Sequence, residues 1–145
     1  MPEPKDTIIA EISNTVSKLV GASAAAVMRQ AGASASHQLW PELPEGKSVD
    51  EAGAIMREGV KQLGGFGELE LKNDGNGGAE IQFQSCFFAS MTTQSGQPCG
   101  QQAICHFGFG LVEETLRRLT GIRARVDLVR HDAEKVICYE IAKPR

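Results

Sequence analysis

The apolar positions of this chain change their period part-way along. Over residues 5–20, KDTIIAEISNTVSKLV, Ile8, Ile12, Val16 and Leu19 recur at three- and four-residue spacing, which makes one face of a helix. Gly21 is a natural stop for it. The alanine-rich stretch that follows predicts a second helix over about 22–31, weakened by Gly32, and Pro41 and Pro44 end whatever comes after. Beyond the loop PELPEGK, Ser48 and Glu51 have capping-box spacing. Val49, Ala52, Met56, Val60 and Leu63 then form the apolar stripe of a third helix, closed by Gly64 and Gly65.

After these glycines the period drops to two. GELELK and AEIQFQS alternate apolar with polar residues, as half-buried strands do, and NDGNGG between them is a hairpin turn. Ile81 and Phe83 share one face of the second strand. The strongest helix of the chain begins near Gly100 and ends at Gly121. Glu113–Arg117 and Glu114–Arg118 give its second half a polar face at i,i+4 spacing. Its first half, AICHFGFGLV, is apolar nearly all round, so both sides should be buried. Gly108 and Gly110 each cost about 1 kcal/mol against alanine in a helix interior. They point to close approach by another backbone, a side chain or a ligand.

IRARVDLV predicts a strand with Ile122, Ala124, Val126 and Leu128 inward. HDAEK reads as a turn, and VICYEIA as the last strand, with Cys138 and Glu140 on its outward side. The sum is N-terminal helices followed by β-β-α-β-β. That is an α+β chain with an antiparallel sheet covered by helices. At 145 residues it reads as a single domain over 1–145.

Composition removes several functions. Net charge is −3 with a sequence pI near 5.6, which gives no general attraction to nucleic acid or anionic lipid. No apolar run approaches the roughly 18–20 residues of a membrane span. The start, MPEPKDTIIAEI, lacks the basic lead and apolar core of a signal peptide, so a cytoplasmic location with reduced cysteines is expected. Nucleophile elbow, phosphate-binding glycine loop and H-E-x-x-H are all missing.

The candidate chemistry sits in residues 85–110, SCFFASMTTQSGQPCGQQAICHFGFG. The cysteines run Cys86-x12-Cys99-x5-Cys105-x32-Cys138, without the close C-x2–4-C pair usual for zinc. An iron–sulfur cluster tolerates looser spacing. A buried cysteine is otherwise a small hydrophobe. Cys86, Cys99 and Cys105 can converge where a strand end meets a helix start; the outward reading of Cys138 argues against its joining them. Phe83, Phe87, Phe88, Phe107 and Phe109, with Met91, gather at the same corner. They suit an ordinary core, the wall of an apolar pocket, or a dimer interface. His106, beside Phe107, is a candidate polar contact for a ligand.

The glycine-bearing helix introduced by cysteine, CHFGFG, lies between two hairpins. A cysteine sits in the last strand, ICYEI, and an arginine–glycine pair lies upstream in MRQAG. Together these features, over about residues 20–142, resemble the 4-vinyl reductase, or hydrocarbon-binding, domain family, whose fold is shared with transport-particle subunits. The resemblance implies a small domain, often dimeric, that holds an apolar ligand between helices and sheet and often serves as a sensory module. Some members bind zinc. Carried onto this chain, those ligand positions fall on Cys105, Asp127, Arg130 and Cys138, with His131 next to the arginine that replaces a ligating cysteine.

The reading that follows is a soluble, non-catalytic binding or sensor domain, paired as a homodimer. It would hold a small apolar ligand against Phe83, Phe87, Phe107, Phe109, Leu111, Val27 and Met28, with His106 at hand. The alternative is a redox-sensing protein whose Cys86, Cys99, Cys105 and Cys138 ligate zinc or an iron–sulfur cluster. A reductase acting on a tetrapyrrole vinyl group is a third reading, suggested by the family name alone.

Overall fold

A computed structural model describes residues 4–86 and 102–145. Helices α1 (Pro4–Val20), α2 (Ala24–Leu39) and α3 (Val49–Gln62) come first, with a short 3-10 turn, Gly21–Ser23, between the first two. Strands β1 (Glu68–Asn73) and β2 (Ala79–Gln84), helix α4 (Ala103–Thr120), and strands β3 (Ala124–Asp132) and β4 (Ile137–Pro144) follow. The strands form one antiparallel sheet in the order β1-β2-β4-β3. The α+β class and the β-β-α-β-β order are as the periodicity predicts.

Local chemistry explains the boundaries. Ser48 starts α3 with a full capping box: its hydroxyl accepts from the Glu51 N–H at 3.2 Å, and the Glu51 carboxylate accepts from the Ser48 N–H at 3.1 Å. Gly121, at φ 81°, closes α4 in the left-handed conformation. The core lies between the sheet and the helices α3 and α4. Met56, Val60, Leu69, Ile81, Leu116 and Val126 are buried there.

Helix α2 runs eight residues further than the alanine stretch predicts, straight through Gly32. The glycine is where it crosses α4. A Cβ at Gly32 would sit 2.0 Å from the Phe107 carbonyl oxygen, and one at Gly110 would sit 2.0 Å from the Arg29 carbonyl oxygen. Backbone contact of this kind offsets the helix-propensity cost of both glycines. Past α2, the Arg118 guanidinium donates to the carbonyls of Ser36 at 2.8 Å and Trp40 at 2.7 Å, fixing the chain as it leaves the helix.

Three side-chain orientations depart from the expected ones. In α1, Ile8, Ile12 and Leu19 are exposed, whereas Ala10 and Ser13 are buried. Most of the expected stripe, Ile8, Ile12 and Leu19, is therefore exposed, while Val16 packs partly against Ala10, Ala24 and Ile104. In β4 the faces are exchanged. Phe83 pairs with Cys138, Ile81 with Glu140 and Ala79 with Ala142. Directly opposed residues share a face, so Cys138 and Glu140 point inward with Ile81 and Phe83. Finally, HD of HDAEK belongs to β3, which carries a bulge between Leu128 and Arg130. Val129 is the extra residue and is exposed. The bulge shifts the alternation by one. Arg130 pairs with Tyr139 on the outer face, and His131 pairs with Cys138 on the inner one.

Candidate functional site

A cavity of about 50 Å³ lies between α3, α4 and the sheet. Its wall is built from every layer. Trp40 enters from the end of α2, Met56 and Val60 from α3, Phe66 and Leu69 from the approach to β1 and from β1 itself. Phe83 and Cys86 come from β2 and its end, Leu128 from β3, and Cys138 and Glu140 from β4. Cys105, Gly108, Phe109, Leu111, Val112 and Thr115 come from α4. Phe66 and Phe83 meet edge to face, with centroids 5.8 Å apart. Among the described residues the wall is thus almost wholly apolar, with four aromatic rings.

Glu140 is the exception. Its accessible surface is intermediate, yet protein atoms crowd it almost completely. It is one of the residues that line the cavity. Burial away from water penalises the charged carboxylate and pushes its pKa up to about 8, against a smaller opposing pull from the Arg29 charge. At neutral pH the group is mostly a neutral acid. Among the described residues no hydrogen bond or ion pair is made to this carboxyl.

Other polar groups near the cavity are committed elsewhere. The Thr115 hydroxyl donates to the Leu111 carbonyl at 2.7 Å and lies 2.8 Å from the Ser36 hydroxyl. The His131 Nδ1 lies 3.2 Å from Cys138 Sγ, a contact made possible by the bulge in β3.

Arg29 forms a second polar centre, just outside the wall. Its guanidinium pairs with Glu113, donates to the Val126 carbonyl at 2.9 Å and reaches Asp127 at 3.3 Å. The Glu113 carboxylate also accepts from the Val126 N–H at 2.7 Å. The guanidinium carbon lies 5.2 Å from the centroid of Phe109. These contacts tie α2, α4 and β3 together. His106 belongs to this cluster: its Nδ1 accepts from Arg29 Nε at 3.3 Å, and its ring meets Phe109 edge to face. Burial first, then the Arg29 charge, lowers the His106 pKa.

Of the residues expected at a ligand site, Phe83, Phe109 and Leu111 line the cavity. Phe107 and Met28 pack instead with Ala10, Ala24, Ala103 and Ile104, in a second apolar cluster under α1. Val27 is 48% exposed and His106 sits with Arg29, so neither is on the wall. Phe87 lies outside the described residues, as do Phe88, Met91 and Cys99. Cys86, Cys105 and Cys138 all reach the same cavity, Cys138 through the exchanged face of β4.

Sequence reading missed Trp40, Phe66, Met56, Leu128 and above all Glu140. One signal for the last was available. A carboxylate stands between apolar residues in an internal strand, where both faces are covered or half-covered.

The zinc positions suggested by family resemblance do not come together. Arg130 lies over the Tyr139 ring at 3.9 Å on the outer face, and Asp127 pairs with Arg29 and Arg125. Only Cys105 and Cys138 of that set share the cavity. Among the described residues no group of three or more His, Cys, Asp or Glu side chains is placed to hold a metal ion. The set does not fit a zinc centre.

Comparison with known proteins yields a fold and no family. No protein-family model matches the chain. No curated protein matches it either. Among solved structures, the chain is similar to the phenol-responsive sensory domain of the transcription activator PoxR, solved with phenol. The TM-score is 0.63 at 13% identity, over 99% of this chain and 76% of that one. What the two share is the fold. No helix among the described residues is long and apolar enough to cross a membrane.

Proposed function

We propose that this chain is a binding domain of the sensor type, which holds a small apolar ligand between α3, α4 and the sheet. The observation that carries the reading is the wall itself: Trp40, Phe66, Phe83 and Phe109 around one cavity, with a single crowded carboxyl among them. Apolar walls with few polar groups are the usual form of a small-molecule site. The fold likeness to a sensory domain supports the reading. A volume of about 50 Å³ exceeds the roughly 10–15 Å³ that one water needs and is below the roughly 150 Å³ of a cavity known to take benzene. Ligands of a few heavy atoms fit as the site stands, and larger ones require Met56 or a ring to shift.

Trp40 is the only tryptophan in the chain, so its emission reports on the cavity directly. Titration with phenol, toluene and pentane should change that emission saturably. Val112→Phe, which fills the cavity from α4, should abolish the change. No response to any of the three, together with no small molecule released from the protein in native mass spectrometry, overturns the reading.

Pairing of two copies belongs to the same proposal. The outward stripe of α1, with Leu19 82% exposed and Ile8 60%, supports it as a surface for a second copy. Light scattering of the protein and of Ile12→Glu tests it. A monomer at micromolar concentration removes this part alone.

A further inference from the structure

We infer that Glu140 is the anchor of the cavity and that the ligand it selects is a small primary amine with a short apolar tail, bound as the ammonium. The inference rests on the cavity reading and adds the chemical class. Among the described lining residues the polar groups other than the Trp40 indole can all turn acceptors toward a cation, the carboxyl once it gives up its proton. They are the Glu140 carboxyl, the sulfurs of Met56, Cys86, Cys105 and Cys138, and the lone pairs of a Thr115 hydroxyl whose proton goes to Leu111. Among the described lining residues none is Lys, Arg or His, and apart from the Glu140 proton itself the Trp40 indole N–H is the strong donor. Aromatic faces add negative potential on several sides.

An ammonium group complements such a wall. It carries three donors and no acceptor, and it is attracted both by a carboxylate and by ring faces. An opposite charge at contact also favours the ionised carboxyl. Other ligands fit less well. A hydrocarbon leaves Glu140 crowded and unsatisfied, which is costly for a buried polar group. An anionic ligand meets a carboxyl with no cation on the wall to offset it.

The charged groups around Glu140 do not replace the ligand. Arg29, from α2, is balanced by Glu113 of α4 and Asp127 of β3. His131 of β3 is engaged with Cys138. The lining residues of α3 and β1 carry no charge. Among the described residues, then, no protein cation is paired with the crowded acid in this aromatic cavity.

The test uses three probes of five heavy atoms each: butylamine, butan-1-ol and pentane. Binding is followed by Trp40 emission and by calorimetry. Butylamine should bind at least about tenfold tighter than either of the others. Glu140→Gln should lose most of that preference, and Glu140→Leu should bind pentane best while still binding. Equal or tighter binding of butan-1-ol or pentane by the unaltered protein overturns the inference and leaves the cavity reading standing. So does an amine preference unchanged in Glu140→Gln. Failure of all three probes, including pentane on Glu140→Leu, overturns both. Thermal melts of the two variants establish that each is folded; neither removes a hydrogen bond seen among the described residues.

Discussion

Two glutamates of this protein are withdrawn from water, and they have opposite surroundings. Glu113 on α4 meets the Arg29 guanidinium and accepts from the Val126 backbone N–H. Glu140 on β4 lines an aromatic cavity and has neither kind of partner among the described residues. The first arrangement joins three elements of the fold. The second joins no elements among the described residues, and burial works against its charged form. A buried charge can serve as a fastener when its partners are supplied by the chain. When they are not, burial holds the group as the neutral acid instead.

The sharpest way to break this comparison is to remove the partner of the first glutamate. Arg29→Met takes away the close cation of Glu113, leaving only the exposed Arg145 guanidinium 3.8 Å from its other oxygen, and frees the Val126 carbonyl. Stability to denaturant should fall by about 3–5 kcal/mol, the usual cost of breaking a buried pair from one side. In a chain of this size that lowers the melting temperature by roughly 10 °C or more. A loss below about 1 kcal/mol would mean that the cluster is not a fastener.

The second glutamate should respond in the opposite direction. Glu140→Leu replaces the crowded carboxyl with an apolar group of similar size, so the protein should gain about 1–4 kcal/mol at about pH 8. The sign of the pH dependence follows from the raised pKa. The folded state holds this proton more tightly than the unfolded chain, where the value is near 4.5. The contribution is complete below the unfolded value and is lost as pH rises through about 8. Urea midpoints of the natural protein should therefore decline between about pH 5 and pH 8, and Glu140→Leu should remove that decline. A variant with an unchanged slope would show that Glu140 is better hydrated than its surroundings suggest.

The smallest effect is expected at the surface. Glu114 bonds Arg117 Nε at 2.6 Å and His37 Nε2 at 2.6 Å, and these partners, Arg117 first, hold its pKa down to about 2. Its contribution is present above the unfolded value and fades as pH falls through about 2. Solvent screens the pair, so Glu114→Gln should cost under about 1 kcal/mol at neutral pH. A much larger loss would place Glu114 with Glu113 among the fasteners, and would remove the distinction between buried and surface pairing.

The sequence by itself determined the order and kind of the elements. Short-range periods of two and of three to four residues carry that information, and the capping box at Ser48 and the glycines at 64 and 121 mark the ends. It also singled out Gly110, because a glycine costly in a helix interior needs a neighbour to justify it. What the neighbour was, the backbone of α2 at Arg29, required the packed structure. The same holds for Gly32, where local propensity predicted a weak end and contact with α4 carried the helix on.

Only the tertiary structure decided which face of β4 points inward. Ile137, Tyr139 and Ile141 make the more apolar side by composition, yet the pairing of Phe83 with Cys138 and Ile81 with Glu140 sends the other side to the core. An internal strand has partners on both edges, and register with a strongly amphipathic neighbour overrides its own weaker pattern. The bulge that turns His131 toward Cys138 was equally hidden, since it changes the phase of a strand without changing its composition. The candidate site rests on these long-range events. Trp40, Phe66 and Glu140 are far apart in the chain, and nothing local to any one of them says that they share a wall.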